Sequence, residues 1–285
     1  MPRKRTIGLI GLGLVGGALA ARFRGAGHDV IGFDPLPGPR AALKKLGGQP
    51  VSSAGDVFTA CKLVVLSLPN SDVVTTVLRA AAPHLRRGLR IIDTTTGEPA
   101  ATAQLAARLS RRGVRYLDAT IVGSSAQVRS GEVLVLAGGR AADFKAARDV
   151  FNSFAKETFH TGPCGSGARM KLVVNLVLGL NRAALAEGLA FAQSLGVSPR
   201  DALTILKAGA AYSRVMDVKG AKMLARDFTP QAKLSQHLKD VRLMLAASPI
   251  PLPLSQTHRR LLEKAVALGF GEQDNSAILQ AILQS

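Results

Sequence analysis

The stretch Thr6-Ile7-Gly8-Leu9-Ile10-Gly11-Leu12-Gly13-Leu14-Val15-Gly16 decides the fold of this chain. Its apolar first half predicts a buried strand, and a Gly-x-Gly-x-x-Gly turn then leads into a helical pattern. In such a turn the first glycine allows the sharp bend, the second lets a pyrophosphate approach, and the third lets the helix pack on the strand. The helix N-terminus adds unpaired N–H groups and a positive dipole end. The turn therefore predicts a dinucleotide site formed by Gly11, Gly13, Leu14, Val15 and Gly16.

An acidic residue follows at the distance that such a site requires. Asp34 comes directly after the second predicted strand, 29–33, and lies 18 residues beyond the third glycine of the turn. A carboxylate there accepts hydrogen bonds from the ribose hydroxyls of NAD and repels the 2′-phosphate of NADP. Asp34 therefore favours NAD, although Arg40 lies near enough in sequence to meet a phosphate and keeps NADP possible.

Strand and helix patterns alternate through the first half of the chain. Buried-strand patterns occur at 6–10, 29–33, 62–66, 90–93, 114–118 and 133–137. Helical patterns lie between them, at 15–24, 71–81 and 99–111 among others. This alternation is typical of a mostly parallel sheet that is covered on both faces. The predicted class of the first half is therefore α/β, a doubly wound Rossmann domain.

The second half of the chain has a different pattern. A turn-rich segment at 161–167 is followed by helical patterns at 168–195, 199–208, 213–225, 233–247, 254–268 and 275–283. We therefore predict two domains. Residues 1–162 form the dinucleotide-binding Rossmann domain, and residues 163–285 form an all-α domain for substrate binding and dimerisation.

Polar segments follow two of the predicted strands. They are Ser67-Leu68-Pro69-Asn70 and Thr94-Thr95-Thr96. Ligands of open α/β sheets bind at the carboxyl ends of the strands, so we predict that Leu68 and Pro69 contact the cofactor. Ordinary turn and helix-capping chemistry explains the same residues, and from these segments alone it is the preferred explanation.

The composition is globular and strongly basic. The 285 residues carry a formal net charge of +18, and 47% of them are hydrophobic. The basic residues are scattered, and aromatic residues, on which bases would stack, make up only 4%. A nucleic-acid partner is therefore not expected. The charge is explained by solvated Arg and Lys side chains, or by a field that attracts anionic cofactors and acids.

Cysteine, histidine and N-terminal patterns limit the cellular setting. Cys61 and Cys164 are the two cysteines, and neither they nor the five histidines show metal-ligand spacing. We therefore expect a reducing cytoplasm and no metal. A basic start and an apolar run at 7–21 resemble a signal peptide, but the glycine pattern and Asp34 argue against it. No membrane span is expected.

Two polar residues interrupt an apolar helical pattern near residue 170. Lys171 and Asn175 are one turn apart and share a helix face. A purely structural explanation is as good as a catalytic one: the lysine extends its charge to solvent, and the amide is buried with its hydrogen bonds satisfied. The alternative is catalysis, because burial lowers the pKa of a lysine toward neutrality and suits it to proton transfer.

Several motifs together resemble the β-hydroxyacid dehydrogenases, the family of 3-hydroxyisobutyrate dehydrogenase and tartronate semialdehyde reductase. They lie at 8–16, 93–99, 117–124, 167–175 and 239–240, and the resemblance spans nearly the whole chain. It implies that Lys171 is the catalytic acid and base and that Asn175 orients the substrate. It also implies cofactor contacts for Thr96 and Lys239, and binding of a substrate carboxylate by backbone N–H groups at Gly123 and Ser124.

The chain departs from the family in the segment that binds the carboxylate. The family's usual Asp-Ala-Pro-Val-Ser-Gly-Gly is replaced at 118–124 by Asp-Ala-Thr-Ile-Val-Gly-Ser. Val122 removes a hydroxyl donor, a loss of about 1–3 kcal/mol unless Ser124 or Ser125 replaces it. At a second position, where the family usually has a Ser-Thr pair, this chain has Thr94-Thr95-Thr96. Val122 leaves open the reduction of an imine, or of an aldehyde without a carboxylate.

The expected function is that of an NAD(P)-dependent 3-hydroxyacid dehydrogenase of the EC 1.1.1 class. Lys171 would move a proton as hydride passes between the cofactor and a small β-hydroxy acid or semialdehyde, held in a cleft between the domains. The resemblance also implies a homodimer or homotetramer. An alternative from another class is a non-catalytic dinucleotide-dependent module that uses its basic surface on nucleic acid; Lys171 argues against it, since the family's chromatin relatives lose this lysine.

Overall fold

A computed structural model describes residues 4–284. The chain forms two compact units, Met1–Lys171 and Leu172–Ser285, which are described separately. The first unit ends nine residues beyond the predicted domain boundary, within a helix that begins at Ser166. The boundary between residues 162 and 163 stays a prediction.

The first unit is built on an eight-stranded sheet with the strand order β3-β2-β1-β4-β5-β6-β7-β8. Its strands are β1 Thr6–Ile10, β2 Asp29–Phe33, β3 Gln49–Pro50, β4 Leu63–Leu66, β5 Arg90–Asp93, β6 Arg115–Val122, β7 Val133–Gly138 and β8 Ala155–Gly162. All neighbours pair in parallel except β6 and β7, which are antiparallel. The predicted fold class, a doubly wound and mostly parallel sheet, is confirmed.

Helices cover both faces of this sheet. They are α1 Leu14–Gly25, α2 Pro37–Lys45, α3 Ala54–Ala60, α4 Ser71–Ala80, α5 Pro99–Arg111, α6 Ser125–Ser130 and α7 Ala141–Asn152. Ile7 and Leu9 on β1 are fully buried, as are Val64 and Val65 on β4. Burial on both faces explains why these strands appear as continuous apolar runs in the sequence.

Three strands differ by more than one residue from the sequence-based expectation. The first is β3, a two-residue edge strand that was not predicted. The strand predicted at 114–118 continues to Val122, because its antiparallel partner β7 pairs with it as far as Val122 and Leu134. The strand β8 was not predicted. It lies at the edge of the sheet with a largely polar, exposed surface that includes Lys156 and Glu157, so it lacks the apolar run that marks the inner strands.

A long helix, α8 Ser166–Ser194, begins against strand β6. The carboxylate of Asp118 accepts the Ala168 N–H at 2.8 Å, and the Thr120 hydroxyl donates to the Gly167 carbonyl at 3.2 Å. A methyl group on Gly167 would lie 2.6 Å from the Leu136 carbonyl oxygen, so only glycine allows this approach. The start of α8 is thus held in place by the sheet.

Over the residues described, the second unit consists of helices and their connections, with a single isolated β-bridge between Lys233 and Asp274 and no strand of the sheet. The rest of α8 is joined there by α9 Pro199–Ala208, α10 Arg214–Ala225, α11 Leu234–Ala247, α12 Pro253–Ala265 and α13 Ile278–Leu283. The predicted all-α region is confirmed. Its apolar core includes Leu185 and Val241. Asp274 in this unit is fully buried. Its carboxylate forms a 2.8 Å ion pair with the Lys219 ammonium and also accepts hydrogen bonds from backbone N–H groups.

Helix α8 is long and apolar enough to cross a membrane by length and composition alone, with a mean hydropathy of 1.4. This hydropathy is that of an 18-residue window of the helix, and 39% of the window is buried inside the protein. Its residues Leu172, Leu185 and Leu189 belong to the core of the second unit. A core helix passes the same test, so the absence of a membrane span stays a prediction.

Candidate active site

The glycine turn between β1 and α1 has two closed positions and one open position. Gly11 has a φ of +90°, and a methyl group there would lie 2.2 Å from the Ser67 carbonyl oxygen. A methyl group on Gly16 would lie 1.9 Å from the Gly11 carbonyl oxygen. At Gly13 it would meet no protein atom within 4 Å. Packing therefore explains the first and third glycines, whereas the second faces open space that a pyrophosphate can fill.

The N-terminus of α1 suits an anionic group. Gly13 is the N-cap residue, no side chain caps the helix, and its first turn contains no acidic residue. The first N–H groups of a helix have no partner within the helix and carry the positive end of its dipole. Leu14 is exposed beside them. These features fit the phosphate-binding role predicted for the turn.

Asp34 connects the turns that follow β1 and β2. Its carboxylate accepts the Leu12 N–H at 2.8 Å and the Leu36 N–H at 2.9 Å, and the residue is buried. The Arg40 guanidinium donates to the Asp34 carbonyl at 2.8 Å. The acidic group and the basic group considered for NAD and NADP therefore lie side by side at the end of β2.

The loops after β4 and β5 are joined to each other. The Leu68 N–H donates to the Thr95 hydroxyl at 3.1 Å, which places Leu68 and Pro69 beside the Thr94–Thr96 turn. Asn70 caps α4 by accepting the Val73 N–H, as the capping explanation of this segment predicts. Thr96 is half-buried at the end of the turn. Capping and turn chemistry thus shape both loops and leave room for the predicted cofactor contacts.

The segment expected to hold a carboxylate is engaged within the protein. Gly123 has a φ of +147°, and a methyl group there would lie 2.5 Å from Val133. The Ser124 N–H donates to the Gln127 side chain at 2.9 Å, and the Ser124 hydroxyl accepts the Gln127 N–H. A carboxylate at Ser124 would have to share these donors with the capping box. The substrate contacts of Gly123 and Ser124 stay predictions.

Lys171 lies in the first turns of α8 and is only 6% exposed. It follows Ala168, which Asp118 holds, by less than one turn. Its backbone position is therefore set by strand β6. A buried ammonium group placed in this way is a chemically suitable proton donor.

Asn175 and Lys239 are brought together in the second unit by Asp240. The Asn175 amide donates to one oxygen of the Asp240 carboxylate at 2.8 Å, and the Lys239 ammonium lies 3.1 Å from the other oxygen. Sequence reasoning gave no role to Asp240, although the Lys239-Asp240 pair belongs to a motif that carries the family resemblance. A carboxylate between a predicted substrate residue and a predicted cofactor residue orients both.

Residues 4–284 contain no group of three or more His, Cys, Asp and Glu side chains arranged to hold a metal ion. The residues predicted to bind the nucleotide lie at the carboxyl ends of β1, β2, β4 and β5, and the first turns of the long helix carry the buried Lys171. Together they define the class, an NAD(P)-dependent oxidoreductase.

The chain belongs to the β-hydroxyacid dehydrogenase family. Residues 6–162 match the NAD binding domain of 6-phosphogluconate dehydrogenase, and residues 165–282 match the NAD-binding domain of NADP-dependent 3-hydroxyisobutyrate dehydrogenase. A 2-hydroxy-3-oxopropionate reductase from Escherichia coli is 30% identical, over 97% of this chain and 96% of that protein. A 2-(hydroxymethyl)glutarate dehydrogenase from Eubacterium barkeri is 29% identical, over 98% and 95%.

A solved structure agrees with this assignment. The crystal structure of 3-hydroxyisobutyrate dehydrogenase from Salmonella typhimurium has a TM-score of 0.89 and 26% identity, covering 97% of this chain and 99% of that one. The resemblance inferred from the motifs is confirmed, as is the use of NAD(P).

Two glycine substitutions separate folding from cofactor binding. Gly13→Ala should reduce the affinity for NAD⁺ at least tenfold, because its methyl group occupies the space that the pyrophosphate needs, and should cost about 1 kcal/mol or less of stability. Gly16→Ala should cost about 1–3 kcal/mol or more, because its methyl group collides with the Gly11 carbonyl. Urea unfolding and titration calorimetry measure the two effects. Unchanged NAD⁺ affinity in Gly13→Ala would contradict the assignment of the open position.

Proposed function

We propose that this protein transfers a hydride between NAD(P) and a small β-hydroxy acid or semialdehyde, with Lys171 as general acid and base. The observation that carries the proposal is the placement of Lys171. It is buried, one turn before Asn175, on a helix whose first turn is fastened to β6 by Asp118. The names of the relatives support hydroxy acids and semialdehydes over imines, and an enzyme over a non-catalytic module.

The chemistry of Lys171 follows from its charge. NAD(P), when bound, supplies or accepts the hydride. In the reducing direction the Lys171 ammonium donates a proton to the carbonyl oxygen, and in the oxidising direction the neutral amine removes the hydroxyl proton. Its positive charge also stabilises the alkoxide character that develops on this oxygen and attracts a substrate carboxylate. Burial strengthens these interactions, because less water screens them.

Asn175 would orient the substrate. An amide has two N–H donors and a carbonyl acceptor. The bond to Asp240 uses one donor and fixes the plane of the group. The remaining N–H and the carbonyl oxygen can then contact the hydroxyl or carbonyl group that reacts. The same carboxylate holds the Lys239 ammonium, for which we propose a cofactor contact.

The oligomeric state, the cellular location and the finer choice of substrate are also proposals. Self-association into a homodimer or homotetramer is supported by the exposed apolar residues Val177 and Phe191 on α8 and Leu195 just after it. The cytoplasmic location rests on the cysteine pattern alone. A substrate without a carboxylate is less well supported, and Val122 at the end of β6 is the residue that favours it.

A substrate panel tests the proposed reaction. Short β-hydroxy acids and semialdehydes are assayed by nicotinamide absorbance with wild type, Lys171→Ala and the exposed control Lys145→Ala. Loss of a general acid typically costs about 10²–10⁴ in rate, so Lys171→Ala should lose that much in kcat and keep its NAD⁺ affinity. Lys145→Ala should behave as wild type. Undiminished activity of Lys171→Ala would remove the assigned role, and no turnover with any compound would count against the reaction class.

A parallel measurement tests the preference for NAD. The ratio of kcat/KM for NAD(H) over NADP(H) should be at least about tenfold, because the Asp34 carboxylate repels a 2′-phosphate. Asp34→Asn keeps the size of the side chain and should lower this ratio. Arg40→Ala is the matched control. If the Arg40 guanidinium binds the 2′-phosphate of NADP(H), this variant should raise the ratio of kcat/KM for NAD(H) over NADP(H). A tenfold or greater preference for NADP(H) in wild type would overturn the interpretation of Asp34.

A further inference from the structure

A buried carboxylate lies beneath the two loops that are predicted to contact the cofactor. Asp93 is the last residue of β5 and is 5% exposed. One of its oxygens accepts the Thr95 N–H at 2.9 Å, and the other accepts the Tyr116 hydroxyl at 2.5 Å. Nothing in the proposed reaction uses this carboxylate, and its burial costs free energy that the fold has to offset.

Asp93 reaches the neighbouring loop through Thr95. The Thr95 N–H donates to Asp93, while the Thr95 hydroxyl accepts the N–H of Leu68. Leu68 and Pro69 form the loop after β4, and Thr96 ends the turn after β5. Leu68 is therefore linked to the Asp93 carboxylate by two successive hydrogen bonds through Thr95. Pro69 and Thr96, which are also predicted to contact the cofactor, are the chain neighbours of Leu68 and Thr95.

The surroundings of the carboxylate combine polar and apolar side chains and hold little space. A cavity of about 10 Å³ adjoins it, lined by Asp93 and by the hydroxyl-bearing residues Ser71, Thr95, Thr102 and Tyr116. That volume is at most the size of one water molecule. The Asp93 carboxylate is therefore stabilised by hydroxyl and N–H donors and not by bulk solvent.

The titratable groups that face Asp93 come from β6 and from the segment before α8. Burial raises the pKa of Asp93 to about 6, the hydrogen bonds from Thr95 and Tyr116 oppose that rise, and the negative charge of Asp118 adds to it. Burial and Asp93 itself raise the pKa of Tyr116 well above its usual value, and burial raises that of Cys164 to about 12. Tyr116 and Cys164 therefore stay neutral near neutral pH, and burial also raises the pKa of Asp118.

The helices α4 and α5 contribute Ser71, Thr75, Thr102 and Leu105 to this region, none of which titrates.

We propose that Asp93 is a positioning residue for the dinucleotide, whose ionised carboxylate holds the Thr94–Thr96 turn and, through Thr95, the Leu68–Pro69 loop in the binding geometry. Protonation weakens this anchor, because a hydrogen bond to a neutral acceptor is about half as strong as one to a carboxylate. Cofactor affinity then falls as the solution becomes acidic. This inference rests on the proposed function and on the predicted cofactor contacts of Leu68, Pro69 and Thr96.

Stability has the opposite pH dependence. The pKa of Asp93 in the folded protein, about 6, is higher than its ordinary value of 3.8, so the folded state binds the proton more tightly. The free energy of unfolding gains from this group at low pH and loses the gain as pH rises from about 3.8 to about 6. Above that range the charge is a cost to the fold. A carboxylate retained only for structure would have the reverse effect.

Calorimetric titration with NAD⁺ between about pH 5 and pH 7.5 tests the proposal, since NAD⁺ itself has no group that titrates in that range. Wild-type affinity should fall by about three- to tenfold on going from pH 7 to pH 5, where tenfold is the limit for a single proton with a pKa of about 6. Asp93→Asn should bind weakly at pH 7, with little pH dependence, and melt at a temperature no lower than that of wild type. Asp72→Asn, which removes an exposed carboxylate on α4, should match wild type.

Tyr116→Phe provides a second, independent variant. It removes a hydrogen bond that lowers the pKa of Asp93, so the fall in NAD⁺ affinity should occur at a higher pH than in wild type. Wild-type affinity that is constant over the range, Asp93→Asn that binds as wild type at pH 7, or an unmoved transition in Tyr116→Phe would overturn the proposal. Failure of wild type to bind either NAD⁺ or NADP⁺ at any pH would instead contradict the proposed function.

Discussion

The start of helix α8 against strand β6 is the constraint on which the proposed chemistry depends. Asp118 lies between the two elements, and its buried carboxylate accepts the Ala168 N–H at the first turn of the helix. Burial raises the pKa of this carboxyl, and the backbone N–H groups oppose the rise. A methyl group on Gly138 would lie 2.3 Å from the Asp118 carboxylate, so the neighbouring strand needs a glycine there. Lys171 lies less than one turn beyond Ala168, so this contact fixes the position of its backbone.

The cofactor side of the site is organised by the same device, a buried side chain that binds backbone N–H groups of a neighbouring loop. Asp34 holds Leu12 and Leu36, and Thr95 holds Leu68. The bonds to Leu12 and Leu68 join turns that follow different strands, whereas the bond to Leu36 closes the turn after β2. The loops therefore need little rearrangement when the dinucleotide binds, which limits the entropy lost on binding. The exposed N-terminus of α1 then provides the attraction for phosphate.

The sequence predicted those features that arise from local pattern. Buried strands such as Asp29–Phe33 and Arg90–Asp93 appear as apolar runs bounded by turns, and their bounds agree with the structure. The edge strand β8 has no such run, so pattern alone could not reveal it. The continuation of β6 to Val122 depends on pairing with β7, which is a tertiary effect.

Site residues divide in the same way. The glycine turn, Asp34 and Lys171 have positions and residue types that a motif can specify. Asp240 and Asp93 act through partners that are distant in sequence, Asn175 and Tyr116, so their roles became visible only with three-dimensional contacts. The capping box between Ser124 and Gln127 has the local pattern Ser-x-x-Gln, which sequence can reveal and which the motif resemblance did not consider. It changes how the carboxylate-binding segment is understood.

The central claim is that Lys171 moves the proton that accompanies hydride transfer. The most direct measurement is chemical rescue of Lys171→Ala by small amines of differing basicity, with turnover followed at saturating cofactor. If Lys171 moves this proton, ammonium and methylamine should restore part of the lost rate, and the rescued rate should follow the pKa of the added amine, as expected for general acid–base catalysis. A folded variant that binds NAD⁺ and whose rate is unchanged by every amine would contradict it.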